Sequence, residues 1–309
     1  MTASFAALES LGRVLDGIER VAVAVSGGVD SMTLAVFAHR RLPRRVEMFH
    51  AVSPAVPPEA TQRVRSTAEC EGWSLHVIDA HEFEDTNYRA NPLNRCFYCK
   101  TNLYSAISPR TTAQIVSGAN LDDLGDYRPG LIAAKQYSVR HPLVEAGIDK
   151  KTVRAVARHL GLEDMAELPS APCLSSRIET GIAIDPTMLA KVHAAERLVA
   201  EALQPQTVRC RVRAQGVVIE LDQERLAALD ERRRCELGAQ VGALFREAGY
   251  DYPVSFAAYR IGSAFLHRVT SPPALSTSGE GAKRVLHPLR PLAGGEGRGE
   301  VGESSNDAA

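Results

Sequence analysis

A short glycine-containing string that directly follows an apolar run constrains this 309-residue chain most. The run VAVAV at 21–25 is typical of a strand covered on both faces, and the string SGGVDS at 26–31 leads straight into the helical pattern SMTLAVFAHRR. Adjacent glycines let the backbone approach an anion closely, and the N–H groups that open a helix attract negative charge. The segment therefore predicts a cradle for phosphate or pyrophosphate. Its members are Ser26, Gly27, Gly28, Val29, Asp30 and Ser31.

The same string lacks the features of two common nucleotide motifs. It has no Gly-Lys-Ser/Thr ending, which the Walker A loop requires, and no G-x-G-x-x-G, which marks dinucleotide binding. Kinase-type transfer of the γ-phosphate is therefore disfavoured. The plain alternative to a phosphate cradle is a tight glycine turn with no special role.

Four apolar runs alternate with helical patterns in the first half of the chain. They lie at 21–25, 46–52, 74–80 and 113–119. Continuous Val/Ile-rich runs are what strands covered on both faces look like, and the helical segments between them make parallel crossovers. We therefore predict an α/β fold, a doubly wound parallel sheet over residues 1–170, with the phosphate cradle at the carboxyl edge of its first strand.

The pattern changes after this sheet. Residues 171–184 contain prolines and small residues and predict a connecting loop, which carries a cysteine. Residues 185–269 predict a smaller α+β domain that supplies substrate or oligomer contacts. Its elements are a helix at 186–203, strands at 207–214 and 216–222, one long charged helix from about 223 to 249, and a strand pair near 252–266. Residues 270–309 are rich in Gly and Pro without an aromatic residue, and predict a disordered tail.

The net charge and the number of cysteines indicate which partners and which cellular compartment suit this chain. With 36 basic and 37 acidic residues the net charge is −1, which disfavours a protein that coats nucleic acid or an anionic membrane. No apolar stretch is long enough to span a bilayer, and no export signal is visible. Six cysteines are few for this length and are typical of a reducing compartment. We therefore expect a cytoplasmic protein that binds neither nucleic acid nor a membrane.

Three of the cysteines suggest a metal site. The string RCFYCK at 95–100 puts Cys96 and Cys99 near a helix start between two cations, which predicts stabilised thiolates. Cys173 lies in the connecting loop, in APCLSSR at 171–177. Three thiolates from two loops would satisfy a [4Fe–4S] cluster with one iron left open. A structural zinc site without its fourth ligand, and unrelated reduced cysteines, are the alternatives.

A predicted strand carries arginines at every second position. Arg209, Arg211 and Arg213 therefore share one face, which suits the phosphate and carboxylates of a mononucleotide. A solvated strand face is the alternative. Glu196 and Glu220 are candidates for binding a divalent metal or for neutralising these arginines, although most glutamates only solubilise.

Four charged residues follow the predicted strand at 113–119, on the same sheet edge as the phosphate cradle. We expect them to shape the nucleotide pocket, with helix capping as the alternative for one or two aspartates. They are Asp122, Asp123, Asp126 and Arg128.

These motifs together resemble a known family. SGGVDS resembles the PP-loop of the N-type ATP pyrophosphatase superfamily, whose fold is adenine nucleotide alpha hydrolase-like. Taken in order with RCFYCK, GANLDDLGDYRPG at 118–130 and PCLSSRIETG at 172–181, it resembles the LarE family of ATP-dependent sulfur transferases over roughly residues 10–268. The resemblance implies sulfur insertion into pyridinium-3,5-biscarboxylic acid mononucleotide, a step in making the nickel-pincer nucleotide cofactor of lactate racemase.

The resemblance also implies cofactors and residue roles. The loop would hold the pyrophosphate of ATP, Asp30 would help to place Mg²⁺ with Glu196 as a second candidate, and a substrate carboxylate would be adenylated before sulfur replaces the activated oxygen. The implied substrate ligands are Ser176, Arg177, Arg209 and Arg211, and a homo-oligomer is expected.

Two sulfur sources are implied by the family. One form sacrifices the cysteine that matches Cys173, and the other carries sulfur on a cluster held by cysteines that match Cys96, Cys99 and Cys173. The presence of all three favours the cluster form. Two other functions remain as alternatives: a tRNA thiolase of the same superfamily, which would need a broad basic surface, and a non-catalytic protein that binds a nucleotide and uses C-x-x-C as a zinc clip.

Overall fold

The computed structural model describes residues 3–125, 128–169 and 172–260. The chain divides into two units, Met1–His267 and Arg268–Ala309, and everything described lies in the first. The predicted tail at 270–309 lies outside the described residues. No helix among the described residues is long and apolar enough to cross a membrane.

The first sheet is parallel and four-stranded, as predicted, with the order β3-β2-β1-β4. Its strands alternate between two cores, because Val21 and Val23 pack into one apolar cluster while Ala22 and Ala24 pack into another on the opposite face. Both faces are therefore covered, which confirms the doubly wound α/β fold. The strands are β1 Val21–Ala24, β2 Val46–Ala51, β3 Leu75–Ile78 and β4 Gln114–Ser117.

Helices cover both faces of this sheet. Those that pack on the valine face of β1 are α1 Ala3–Asp16, α2 Val29–Arg41, α3 Pro58–Glu71 and α8 Lys150–His159. Those on the alanine face are α5 Arg95–Ile107 and α6 Pro129–Gln136. Shorter helices are α4 Thr86–Arg89, α7 Pro142–Glu145 and α9 Glu163–Ala166, and 3₁₀ turns lie at Ser108–Arg110, Leu121–Leu124 and Leu174–Arg177.

The strand order sets where a ligand can bind. The connections that leave β1 for β2 and that enter β4 run on opposite faces of the sheet, so the carboxyl ends of β1 and β4 form a crevice between them. Ligands of open α/β sheets bind at this kind of topological switch point. The SGGVDS string follows β1, and the loop 118–125 follows β4.

The second sheet has three strands in the order β5-β6-β7, with β5 antiparallel and β7 parallel to β6. Helices α10 and α12 pack on the face of β5 that carries Cys210 and Val212. The predicted helix at 186–203 and the two predicted strands that follow it are present, while the division of this region from the first sheet as a separate domain stays a prediction. The elements are β5 Val208–Arg213, β6 Gly216–Leu221, β7 Val254–Ala258, α10 Pro186–Leu203, α11 Gln223–Ala228 and α12 Glu231–Arg246.

One predicted helix is broken in two. The prediction of a single helix from about 223 to 249 is wrong, because α11 ends before Leu229, whose backbone is extended. Asp230 then caps α12, and its side chain accepts a hydrogen bond from the N–H of Arg233 at 2.7 Å. An aspartate that bonds a nearby N–H competes with a continuous helix. Of the strand pair predicted near 252–266, β7 is described and residues beyond 260 are not.

Candidate functional site

The turn after β1 has a backbone that only glycine suits. Gly27 has φ +79, and a Cβ there would lie 2.5 Å from the carbonyl oxygen of Ala60 in α3. Gly28 is the N-cap of α2, with φ −87 and ψ 159. The loop is therefore pressed against α3, and Arg63 of α3 donates from Nε to the Gly27 carbonyl at 3.0 Å.

Two serine hydroxyls hold the loop from inside. Ser31 Oγ donates to the Gly28 carbonyl and accepts from the Ser26 N–H, both at 3.1 Å. Since its proton is committed to Gly28, the 3.0 Å contact between the two hydroxyls has Ser26 as the donor. The loop is thus shaped before any anion arrives, as the predicted phosphate cradle requires.

Asp30 is engaged at both carboxylate oxygens. Asn120 of the loop after β4 donates from Nδ2 to Oδ1 at 3.1 Å, and the Lys150 ammonium pairs with Oδ2. The two loops also touch through backbone, because a Cβ on Gly118 would lie 2.6 Å from the Ser31 nitrogen. Asp30 therefore joins the ends of β1, β4 and α8.

The acidic loop after β4 is held by capping. Asn120 and Asp123 form a reciprocal capping box, and Asp123 also pairs with Arg128 at 3.0 Å. Asp122 accepts from the backbone N–H of Lys150 at 3.0 Å. The capping alternative is thus what the structure has for these aspartates. Asp126 lies outside the described residues.

The cysteine-bearing loop is held to the first sheet by buried polar side chains. Asn91 is fully buried and donates to the carbonyls of Glu179 and Ile182 at 2.9 Å each. Arg95 donates to the Asn91 side chain at 2.6 Å and to the Ser175 carbonyl at 3.0 Å. These bonds fix the segment that contains Ser176 and Arg177 beside the helix that carries Cys96 and Cys99.

The three predicted cysteines come within electrostatic range of one another. Cys96 and Cys99 lie in the first turn and a half of α5, and Cys173 precedes the 3₁₀ turn at Leu174–Arg177. Burial, and then the charge of Cys173, raise the pKa of Cys96, while burial raises the pKa of Cys99 to about 12. The flanking cations act as predicted, because Arg95 and Lys100 lower the pKa of Cys96 and Lys100 lowers that of Cys99, although burial opposes them and has the larger effect.

The three cysteines carry the thiol donors that an iron–sulfur cluster takes. All six cysteines are free of disulfides. Among the described residues no three His, Cys, Asp or Glu side chains are grouped closely enough to hold one metal ion. A [4Fe–4S] cluster binds each cysteine thiolate to a different iron, and a cluster at these cysteines stays a prediction.

Arg177 and Glu196 form a buried ion pair. The Glu196 carboxylate accepts from Arg177 Nε at 2.9 Å and Nη2 at 3.2 Å, and the side chains are only 3% and 12% exposed. Glu196 Oε1 also accepts from the Cys210 N–H at 2.9 Å. Of its two predicted roles, Glu196 takes that of a counter-ion in this structure.

The arginine strand face is buried, so the solvated alternative is wrong. Arg209 and Arg211 are 8% and 4% exposed. Arg211 donates to Glu220 and to the Ser176 carbonyl at 3.0 and 2.9 Å, and Arg213 lies 3.5 Å from Glu220. Arg209 lies over the Tyr259 ring, 5.8 Å from its centroid. The contact from Arg211 brings the arginine stripe next to Ser176, while their role as substrate ligands stays a prediction.

Several residues that support the phosphate loop and the cysteine loop were not predicted from the sequence. Lys150 and Arg63 support the phosphate loop from helices far along the chain, and Asn91 anchors the cysteine loop. Glu82 is only 6% exposed, one of its oxygens has no hydrogen-bond partner among the described residues, and its charge raises the pKa of Cys99. Asn91 has φ +53, in the left-handed region that asparagine adopts more often than most residues.

The fold and the loop define a class of protein. A parallel sheet with SGGVDS at its switch point is consistent with the PP-loop ATP pyrophosphatases. No family model matches the chain.

Comparison with known proteins identifies the family. The chain is 31% identical to the pyridinium-3,5-bisthiocarboxylic acid mononucleotide synthase of Lactiplantibacillus plantarum over 222 residues, 70% of this chain and 80% of that protein. It is 36% identical over 223 residues to an uncharacterised Synechocystis protein, 71% of this chain and 82% of the relative. A Methanocaldococcus jannaschii protein is 23% identical over 69% of this chain. The chain belongs to the LarE family.

Proposed function

We propose that this protein inserts sulfur into pyridinium-3,5-biscarboxylic acid mononucleotide at the expense of ATP, in the biosynthesis of the nickel-pincer nucleotide. One observation carries the proposal: a relative that covers most of this chain is named as the corresponding bisthiocarboxylic acid mononucleotide synthase. The preformed phosphate loop and the neighbouring cysteine loop support it.

The first step is adenylation of a substrate carboxylate. A carboxylate oxygen attacks the α-phosphorus of ATP, the bond to the β-phosphate oxygen breaks, and pyrophosphate leaves. The N–H groups at the start of α2 and the fixed hydroxyls of Ser26 and Ser31 would stabilise the charge on pyrophosphate. Mg²⁺, when bound with help from Asp30, would add positive charge to the phosphates.

The proposal assigns substrate binding to β5 of the second sheet and to the 3₁₀ turn at Leu174–Arg177. Ser176, Arg177, Arg209 and Arg211 would hold the mononucleotide through its phosphate and second carboxylate, which guanidinium groups bind well. Their burial favours strong charge-assisted bonds once water is excluded. Since Arg177 and Arg211 already have glutamate partners, a carboxylate or phosphate of the substrate would have to share or replace those glutamates.

The second step replaces AMP by sulfur at the activated carbonyl carbon. Cys96, Cys99 and Cys173 would hold a [4Fe–4S] cluster, which when bound would supply a labile sulfide at its open iron. Arg95 lies beside these thiols and is 6% exposed, so it would balance part of the negative charge there. The sacrifice of Cys173 remains the alternative source of sulfur. The proposal includes a cytoplasmic homo-oligomer that acts on a small molecule.

Anaerobic iron and labile-sulfide analysis tests the sulfur source. We expect about four irons per chain in the wild type, lost in Cys96→Ala, Cys99→Ala and Cys173→Ala. Cys70→Ala and Cys235→Ala, which change exposed cysteines, are matched controls and should keep the iron. No iron, together with loss of H₂S from Cys173 after incubation with ATP and substrate, would establish the sacrificial route instead.

Product analysis tests the function itself. The wild type with ATP, Mg²⁺ and the biscarboxylic mononucleotide should release AMP and pyrophosphate and form a thiocarboxylate that mass spectrometry detects. Binding of ATP without release of pyrophosphate would contradict the proposal and favour a non-catalytic nucleotide-binding protein.

A further inference from the structure

A lysine from a distant helix lies on the phosphate loop. Lys150 is the first residue of α8, and its ammonium pairs with Oδ2 of Asp30, which stands 120 residues earlier. The two side chains are 31% and 24% exposed, so the pair borders the crevice and is not sealed in the core. It is a cation placed beside a loop suited to anions.

The backbone of Lys150 is anchored, whereas its side chain is long. Its N–H donates to Asp122 at 3.0 Å, and the carbonyl of Ile148 accepts from Leu121 at 3.0 Å. Asp149 caps α8 through the N–H of Thr152 at 2.7 Å. The start of α8 is therefore fixed to the loop after β4, and only the flexible stem of Lys150 can move its charge.

The Asp30 carboxylate cannot bind the Lys150 ammonium and a divalent cation equally well at the same time. Its Oδ1 accepts from Asn120, and Oδ2 is paired with the ammonium. A cation that binds the carboxylate would be repelled by an ammonium in contact with the same group. Binding of the metal at Asp30 must therefore weaken or break the Lys150 contact.

We propose that Lys150 contacts the pyrophosphate of bound ATP, and that its ammonium and the divalent cation exchange places on Asp30. This inference rests on the proposed function and adds a residue to its phosphate site. Without nucleotide, Lys150 neutralises Asp30. When the cation and the phosphates enter, the cation takes over Asp30 and Lys150 turns to the phosphates, so each negative group keeps a positive partner throughout.

The exchange predicts effects of opposite sign from one substitution. Lys150→Met removes the competitor at Asp30, so Mn²⁺ alone should bind several-fold more tightly. It also removes a charge-assisted contact, so inorganic pyrophosphate should bind about ten- to a hundred-fold more weakly at saturating Mg²⁺. Electron paramagnetic resonance measures free Mn²⁺, and calorimetry measures pyrophosphate, both on the full chain.

Two further variants make the result decisive. Lys151→Met changes the next residue of α8, which is exposed, and should match the wild type in both assays. Lys150→Arg keeps the charge and should bind pyrophosphate within a few-fold of the wild type. If Lys150→Met weakens both ligands, or changes neither, the exchange is refuted. If the wild type binds neither ATP nor pyrophosphate, the proposed function itself fails, which is a separate result.

Discussion

Substitution of Gly27 by alanine should damage the phosphate loop much more than substitution of the adjacent Gly28. Gly27 combines φ +79 with a Cβ position 2.5 Å from the Ala60 carbonyl oxygen, which is backbone and cannot rotate away. Gly28 has φ −87, and its nearest neighbour would be Ser26 Oγ at an ordinary 3.6 Å. Both variants replace glycine by alanine at neighbouring positions. They differ in the backbone φ and in the space available to the new Cβ.

The magnitude follows from two separable costs. An L-residue in the left-handed region costs about 1–2 kcal/mol, and forcing an extra carbon into a packed contact costs about 1–3 kcal/mol. Gly27→Ala should therefore lower the free energy of unfolding by about 2–5 kcal/mol. Gly72→Ala isolates the first cost, because Gly72 has φ +68 with nothing within 4 Å of its Cβ position. The entropy that alanine removes from the unfolded chain is shared by all three variants and cancels in their differences.

Urea unfolding of the four proteins gives the free energies, and pyrophosphate calorimetry reports the loop. The expected order of stability is wild type and Gly28→Ala together, then Gly72→Ala, then Gly27→Ala, with pyrophosphate binding lost only in the last. Equal stability of Gly27→Ala and Gly72→Ala would show that the loop moves off α3 freely. In that case, retained pyrophosphate binding would refute the claim that this contact shapes the cradle.

Three other predictions concern buried polar groups. Glu196→Ala should cost about 3 kcal/mol in urea unfolding because it leaves the Arg177 charge buried and unpaired, whereas Glu196→Gln keeps an acceptor for the Cys210 N–H and should cost less. Asn91→Ala should lower stability by about 2–3 kcal/mol and speed proteolysis of the cysteine loop, because the Glu179 carbonyl and others lose their donor; unchanged cleavage would contradict this. Burial lowers the pKa of His50 from its ordinary value of 6.5. At a pH just below 6.5 the unfolded chain therefore binds a proton at His50 that the folded chain does not. Stability should therefore fall as pH drops from about 7.5 to about 5.5, and His50→Gln should reduce that fall.

The first sheet was predictable because each of its strands has a recognisable pattern in the local sequence. Val21 and Val23 on one face and Ala22 and Ala24 on the other need covering on both sides, and a parallel crossover sheet provides it. The break at Asp230 was harder, since charged residues on both sides suit a helix and one capping bond decides the outcome. The local sequence pattern therefore predicts whether a segment is a helix or a strand better than it predicts where that element begins and ends.

The site was predictable where chemistry follows from a string, and not where it follows from contacts across the chain. The tight glycine turn between β1 and α2 could be predicted from SGGVDS alone. Lys150 could not, because its place on Asp30 depends on the packing of α8 against α2. The effect of burial on Cys96 and Cys99 could not be predicted for the same reason: the neighbouring cations that lower the pKa are visible in a sequence, but the burial that raises it is not.

The topology explains why the phosphate loop and the cysteine loop can lie at the same edge of the sheet. The strand order puts the phosphate loop at β1, with Asn120 and Lys150 beyond β4 on one side. On the other side, beyond β2, the carbonyl of Ala55 accepts from the N–H of Leu174, next to Cys173, at 2.9 Å. Lys150 and the cysteine loop therefore lie on opposite sides of β1. In the proposed function, the substrate carboxylate would have to lie between them at this sheet edge, so that it meets the α-phosphorus for adenylation and then the sulfur.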